Sequence, residues 1–221
     1  MRLKMILGML MVTTAIGVVV FSATGSLALP MYWAYLGLLA GCVTFVAVRF
    51  DLDLLRERFK PAAASRDNLL LLRLAAAAIF LSHWVIAGLD VGRFHWSGVV
   101  PLSAQVAGLA AFVAGMFIWF WAMSVNRFFS SAVRIQSDRG HHVISTGPYR
   151  IVRHPGYASM CFLGIWSALA LGSLWAMLPP LICSYLFIRR TIMEDRMLRE
   201  ELAGYAEYAR RVPYRLMPGV W

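Results

Sequence analysis

The chain has 221 residues, of which 60% are hydrophobic and 14% charged, and its formal net charge is +10. So little polar surface cannot cover a water-soluble globule of this size, which excludes an ordinary soluble domain and implies an integral membrane protein. The basic surplus then follows from membrane topology and attraction to anionic lipid, with no nucleic-acid partner required.

A bilayer core about 30 Å thick is crossed by about 20 apolar residues. Four runs meet or approach that length: Met5 to Ala23, Met31 to Val48, Asn68 to Leu89 and Leu102 to Val125. Arg2 and Lys4 precede the first run as they would in a signal peptide, but its apolar core is too long for one, so a retained anchor is expected. In the second run, Gly37 and Gly41 form a GxxxG pair, expected to pack helices closely within the molecule. The linker Arg49 to Asp67 mixes charges with Pro61-Ala62-Ala63-Ala64 and reads as a solvated, partly helical connection. His83, beside Trp84 in the third run, reads as a hydrogen-bonded packing residue, and Arg73 lies near enough to a span end to snorkel.

After the fourth run comes a long polar segment, Asn126 to Tyr157. Two further apolar stretches follow, Ala158 to Leu171 and Leu174 to Ile192, with only Gly172-Ser173 between them. They read as a tight helical hairpin whose second arm Pro179-Pro180 is expected to kink. The expected fold is therefore an all-α polytopic membrane protein of about six transmembrane helices, with a short helical hairpin and a cytoplasmic C-terminal cap. Residues 1–67 form a two-span scaffold with a charged linker. Residues 68–221 form the catalytic membrane part: motif loop 126–157, hairpin 158–192 and cap 193–221. With both termini cytoplasmic, all 21 Lys and Arg residues except Arg93 fall on the cytoplasmic side or within one turn of it. The short loops point to a bacterial inner membrane. Cys42, Cys161 and Cys183 lie in apolar runs without CxxC spacing and read as small core residues.

The polar groups concentrate in Gly147-Pro148-Tyr149-Arg150-Ile151-Val152-Arg153-His154-Pro155-Gly156-Tyr157, at the edge of an apolar segment, where such groups are costly to keep. Arg153 offers a planar fork for a carboxylate or phosphate, the tyrosines can flank a ring, and His141, His142 and His154 can donate or accept hydrogen bonds. Arg150 reads as a positive-inside anchor. Downstream, Arg190 and Glu194, and Asp195 and Arg199, stand four apart and can face one another on a helix. Glu194 sits where the last span leaves the bilayer, level with the His154 loop. The tail from Gly204 through Tyr205, Tyr208 and Val212-Pro213 to Arg215 is a second aromatic and basic strip.

The run from His141 through Gly147-Pro148-Tyr149, Arg153-His154-Pro155 and Tyr157 resembles the isoprenylcysteine carboxyl methyltransferase family and its relatives, the membrane phospholipid methyltransferases. Past the hairpin, Glu194, Leu198, Gly204, Tyr205, Tyr208 and Val212-Pro213 are similar to that family's C-terminal signature. The resemblance covers roughly the last half of the chain and implies an enzyme with S-adenosylmethionine as methyl donor, bound at the cytoplasmic membrane edge. It further implies a lipophilic or small-molecule acceptor (carboxylate, thiol or amine), entering from membrane lipid. By position, His141, Tyr149, Arg153, His154, Pro155 and Tyr157 would cradle the cofactor and Glu194 would form its inner wall. Arg190 and Arg215 would hold an acceptor carboxylate, and Tyr205 and Tyr208 would shape a lid over the substrate.

Two other classes compete. Membrane sterol reductases that use NADPH carry a similar Arg-His-Pro-x-Tyr element, and a non-catalytic membrane sensor could keep a cofactor-like pocket. A metal site is not expected, because the five histidines form neither HExxH nor clustered boxes.

Overall fold

In the computed structural model, residues 2–52, 54–55 and 69–221 are described. The expected linker lies largely outside them. Its elements are α-helices α1 (Arg2–Thr24), α2 (Pro30–Arg49), α3 (Leu69–Leu89), α4 (Leu102–Val125), α5 (Pro155–Ala170), α6 (Leu178–Glu201) and α7 (Tyr205–Arg211), with no strand among the described residues. Four helical stretches, α1, α2, α4 and Leu70–Phe94, which takes in all of α3 but its first residue, are long and apolar enough to cross a membrane. The hairpin helices differ: the 16 residues of α5 span about 24 Å, short of a bilayer core, and the last turns of α6 are strongly charged.

Apolar side chains gain nothing by leaving lipid for a helix interface, so close packing and buried hydrogen bonds hold such a bundle. Both are visible. Val20 of α1, Tyr32 and Tyr35 of α2, Ala87 of α3, Phe112 of α4 and Ala168 of α5 form one buried core. A polar net threads it: the Tyr32 hydroxyl donates to the Ala87 carbonyl at 3.0 Å, and the Ser167 hydroxyl to Tyr35 at 2.9 Å. His83 is fully buried, its ring nitrogens 2.8 Å from the Ala176 carbonyl and 2.9 Å from the Ser167 hydroxyl, as expected of a packing histidine.

The close helix contacts fall at glycines other than the expected pair. A Cβ on Gly88 would lie 2.6 Å from the Cβ of Ala23, and one on Gly108 would lie 2.7 Å from the Ala170 backbone nitrogen. At Gly37 and Gly41 a Cβ would meet nothing within 4 Å among the described residues. The GxxxG pair faces open space, because spacing alone fixes a helix face but not what covers it.

The two prolines are also corrected. Pro179 and Pro180 lie in the first turn of α6, after the 3-10 turn Trp175–Met177, and open the helix instead of kinking it. Backbone N–H groups of a first turn have no intrahelical partner to lose, so proline fits there. Gly164 of α5 accepts the Pro180 ring so closely that a Cβ would meet it at 2.5 Å, which holds the hairpin arms together.

At one end of the bundle, α3 runs on into a π-helical turn, Asp90–Phe94, closed by His95 in the left-handed region (φ 52°). Asp90 is 1% exposed. It accepts hydrogen bonds from the Ser97 backbone N–H at 2.8 Å, the Ser97 hydroxyl and the Ser173 hydroxyl at 2.5 Å. Arg93 crosses to the last carbonyls of α1, donating to Ala23 at 2.8 Å and Ser22 at 3.0 Å, where cations complement a helix C-terminus. The opposite end collects the C-termini of α2 and α4, the 126–154 loop, the end of α6, α7 and the tail. Met5 packs there against the cluster of Val46, Phe50, Leu55 and Met123, which places the start of α1 at this end too.

Candidate functional site

The site is assembled by a carboxylate that the pattern of pairs four residues apart presented only as half of a surface pair. Asp195, on α6, is 1% exposed. It takes Arg153 Nε at 2.7 Å and Nη2 at 3.2 Å, Arg199 Nε at 3.1 Å, Arg215 Nε at 3.1 Å and the Tyr205 hydroxyl at 3.0 Å. His154 Nε2 lies 3.3 Å from the same carboxylate and 3.3 Å from the Tyr205 hydroxyl. Burial alone would raise the Asp195 carboxyl, but hydrogen bonds and charge from His154 and Arg153 hold it well below the usual carboxylate range. It is therefore ionised at any working pH and ties the loop, α6 and the tail into one unit.

Arg153 is the second half of that clamp. Its remaining nitrogen donates to the carbonyls of Val212 and Pro213, each at 2.7 Å. The loop backbone is bound to the tail as well, with Arg153 N–H to Tyr214 O at 3.0 Å and His154 N–H to Arg215 O at 2.9 Å. The carboxylate gripped by this fork is thus the chain's own Asp195.

Upstream, Gly147 adopts φ 57°, and a Cβ there would lie 3.1 Å from Trp121 Nε1, so the turn requires glycine. It sends Pro148 and Tyr149 into a short 3-10 turn under the cap. Asn126 donates to the Tyr149 hydroxyl at 2.9 Å, and Tyr208 donates to the Tyr149 carbonyl at 2.7 Å. Pro155 starts α5 and is buried. Two residues on, Tyr157 donates to Glu194 Oε2 at 2.7 Å and stacks between His154 (centroids 6.0 Å) and Phe187 (5.9 Å). Glu194 is half-buried.

His141, His142, Tyr149, Arg153, His154, Tyr157, Glu194, Tyr205 and Tyr208 line one narrow cleft of about 100 Å³, with Phe128, Phe129 and Asn126 in its walls. The sequence-derived residues therefore converge, with three exceptions. Pro155 is buried at the start of α5 and does not line the cleft. Arg190 lies against the Tyr157 ring at 5.9 Å and donates to the Ser131 carbonyl. Arg215 is held by Asp195 and covers the Trp221 ring at 4.9 Å. Neither arginine lines the cleft, because each is engaged in holding its wall. Tyr205 and Tyr208, expected to shape a lid, are 4% and 2% exposed and line the cleft from its buried side. Burial, then the Asp195 charge, pushes the Tyr205 phenol well above its ordinary value, and burial does the same to Tyr208, so both remain protonated donors.

The electrostatics of the cleft follow. Glu194 is the only carboxylate among its described lining residues; of the two arginines there, Arg153 is bound to Asp195 and Arg134 to Asp138. His141 accepts the Gln136 backbone N–H on Nδ1 at 3.2 Å, which leaves the proton on Nε2. Burial, then repulsion from His142, Arg134 and Arg139, lowers it to about 4 and keeps it neutral at pH 7. A carboxylate among aromatic faces suits a cationic ligand, since ring faces attract cations.

Residues 107–200 match the sequence model of the isoprenylcysteine carboxyl methyltransferase family. The chain is 29% identical over 159 residues to the cobalt-zinc-cadmium resistance protein CzcN of Cupriavidus metallidurans, a stretch covering 69% of this chain and 68% of that protein. The matched family segment holds α5, the motif loop and Glu194.

Proposed function

We propose, for a chain whose residues 107–200 match the isoprenylcysteine carboxyl methyltransferase family, that the Glu194 cleft binds S-adenosylmethionine and directs methyl transfer to a lipophilic or small acceptor. The observation that carries this reading is the convergence of His141, Tyr149, Arg153, His154, Tyr157 and Glu194 on one cleft. In this reading α5 and α6 add two shorter spans, as a hairpin, to the four long helices, and the cleft faces the cytoplasm of a bacterial inner membrane with both termini on that side.

The residues present fit a cationic cofactor. Bound there, S-adenosylmethionine supplies an electrophilic methyl group. Glu194 attracts the cofactor's positive charge, and Tyr157 holds the carboxylate in place through its hydroxyl. His141, neutral with Nε2–H, donates one hydrogen bond. The cleft is smaller than the roughly 300–1,000 Å³ of ordinary ligand sites, so the half-exposed wall from His141 to Ile144 moves aside on binding. The Asp195 clamp keeps the opposite wall rigid and water-excluding. Alignment of donor and acceptor within such walls supplies several kcal/mol of the barrier. A carboxylate or thiolate acceptor needs no strong base.

The test is calorimetric titration of the purified chain in lipid nanodiscs with S-adenosylmethionine. Wild type is expected to bind, and Glu194→Gln to weaken binding by about tenfold or more with an unchanged melting temperature. Undisturbed affinity in both Glu194→Gln and His141→Gln would overturn the assignment.

A further inference from the structure

A second, larger hollow lies beside the cleft. Between α2 and α4 runs an apolar groove of about 1340 Å³ whose floor includes Gly37 and Gly41 and whose sides include Phe45, Val113, Phe117 and Phe120. Phe45, Val113 and Phe117 are 49%, 42% and 64% exposed, and among the described residues no atom lies within 4 Å of a Cβ placed on either glycine, so the groove opens sideways. From Gly37 to Arg49 the groove extends about 18 Å along the helix, close to the roughly 15 Å of one leaflet's hydrocarbon. That is the depth of one lipid tail. The mouth carries Arg49, Arg127, Arg139 and His142 against a single described acid, Asp51, a cationic ring at the height of a headgroup.

The mouth is wired to the cleft. His142 and Ile144 line both hollows. Arg127 donates to the Arg139 carbonyl at 3.3 Å, and both guanidiniums lie over the Phe128 ring, at 5.1 Å and 6.0 Å. The same ring packs against His141 at 4.5 Å and His142 at 5.0 Å. Two like charges share one ring, and an anion between them relieves their repulsion.

We propose that this groove holds one anionic phospholipid as a resident ligand, its phosphate on Arg49, Arg127 and Arg139, and that the lipid fixes the 139–144 wall of the cleft in its binding position. The lipid site stands on the groove alone. The coupling rests on the donor reading given above.

Native mass spectrometry of the full chain from nanodiscs containing equal phosphatidylglycerol and phosphatidylcholine tests the site. One phosphatidylglycerol is expected to be retained, with the preference falling about tenfold in Arg127→Gln/Arg139→Gln. Gly41→Phe, which has space for its ring, is expected to expel the lipid without lowering the melting temperature. Equal retention of both lipids, or full retention in Gly41→Phe, overturns the proposal. So does a methylated phosphatidylglycerol product, which would make the lipid the acceptor. S-adenosylmethionine is expected to bind several-fold more tightly in phosphatidylglycerol than in phosphatidylcholine nanodiscs, and equal affinity overturns the coupling. Absence of binding in both lipids defeats the donor reading and the coupling with it, while phosphatidylglycerol retention still judges the lipid site.

Discussion

Asp195 and Asp90 stand at opposite ends of the bundle, each 1% exposed, and the partners they recruit differ. Asp195 draws three arginines, a histidine and a phenol from the motif loop, α6, the cap and the tail. Asp90 draws only hydroxyls and a backbone N–H, from Ser97 and Ser173. The first arrangement gathers three guanidiniums on one carboxylate and leaves Glu194, held by the Tyr157 hydroxyl, as the carboxylate of a cleft. The second ties the π-helical turn to the α5–α6 turn, where the Ser97 hydroxyl also accepts the Leu174 N–H at 2.8 Å and Ser173 accepts Ala176 N–H at 3.1 Å. One end is built around a cleft and the other is a clasp, although both rest on a buried acid.

The largest expected effect separates the two ends most sharply. Asp195→Asn leaves Arg153 buried without its charge partner, which costs about 3–5 kcal/mol, and it is expected to abolish S-adenosylmethionine binding. Chemical denaturation in detergent together with cofactor titration reads both losses. If binding survives at wild-type strength, the clamp does not support the cleft.

Asp90→Asn follows, with an expected destabilisation of about 1–3 kcal/mol from mismatched buried donors. Cofactor affinity is expected to remain that of wild type in the folded fraction. A parallel loss of affinity would erase the distinction between site and clasp.

Tyr157→Phe removes the hydroxyl from Glu194 and is expected to cost about 0.5–1.5 kcal/mol, read as a roughly two- to tenfold weaker cofactor affinity with little change in melting temperature. A stability loss as large as that of Asp195→Asn would move Tyr157 from the cleft into the clamp.

The smallest effect is on pH. The folded state holds His141 at about 4 against an ordinary 6.5, so it binds fewer protons than the unfolded chain in that interval. Its contribution is complete above pH 6.5 and is lost as the pH falls toward 4. Asp195, lowered in the fold, adds stability that is lost only below its ordinary 3.8. Melting curves between pH 4 and 7 are expected to slope upward in wild type and to flatten in His141→Asn. An unchanged slope would assign the effect elsewhere.

Much of this molecule is legible in its sequence. The long apolar helices, the hairpin turn at Gly172-Ser173 and the packing role of His83 follow from local composition, because lipid leaves a backbone few choices but the helix. The motif residues around His154 were also recognisable, since polar groups at a membrane edge are retained at a cost. Asp195 was not singled out. Beside Glu194 it differs only by one helical step of about 100°, which turns one carboxylate into the cleft and the other into the clamp, and no local pattern says which way the helix is rotated. Asp90 carried no local signal either, since its partners lie seven and eighty-three residues away.

By itself, then, the sequence determined that the chain enters a membrane as helices, where its polar chemistry gathers and which family its second half resembles. Tertiary structure decided which charges pair with one another and which face the cleft. It turned Arg153 and Arg215 toward Asp195, left Glu194 facing the cleft, opened the Gly37 and Gly41 face and closed the Gly88 and Gly108 contacts. Composition and spacing set the helices, but the rotation of each about its axis is fixed only when all of them pack together.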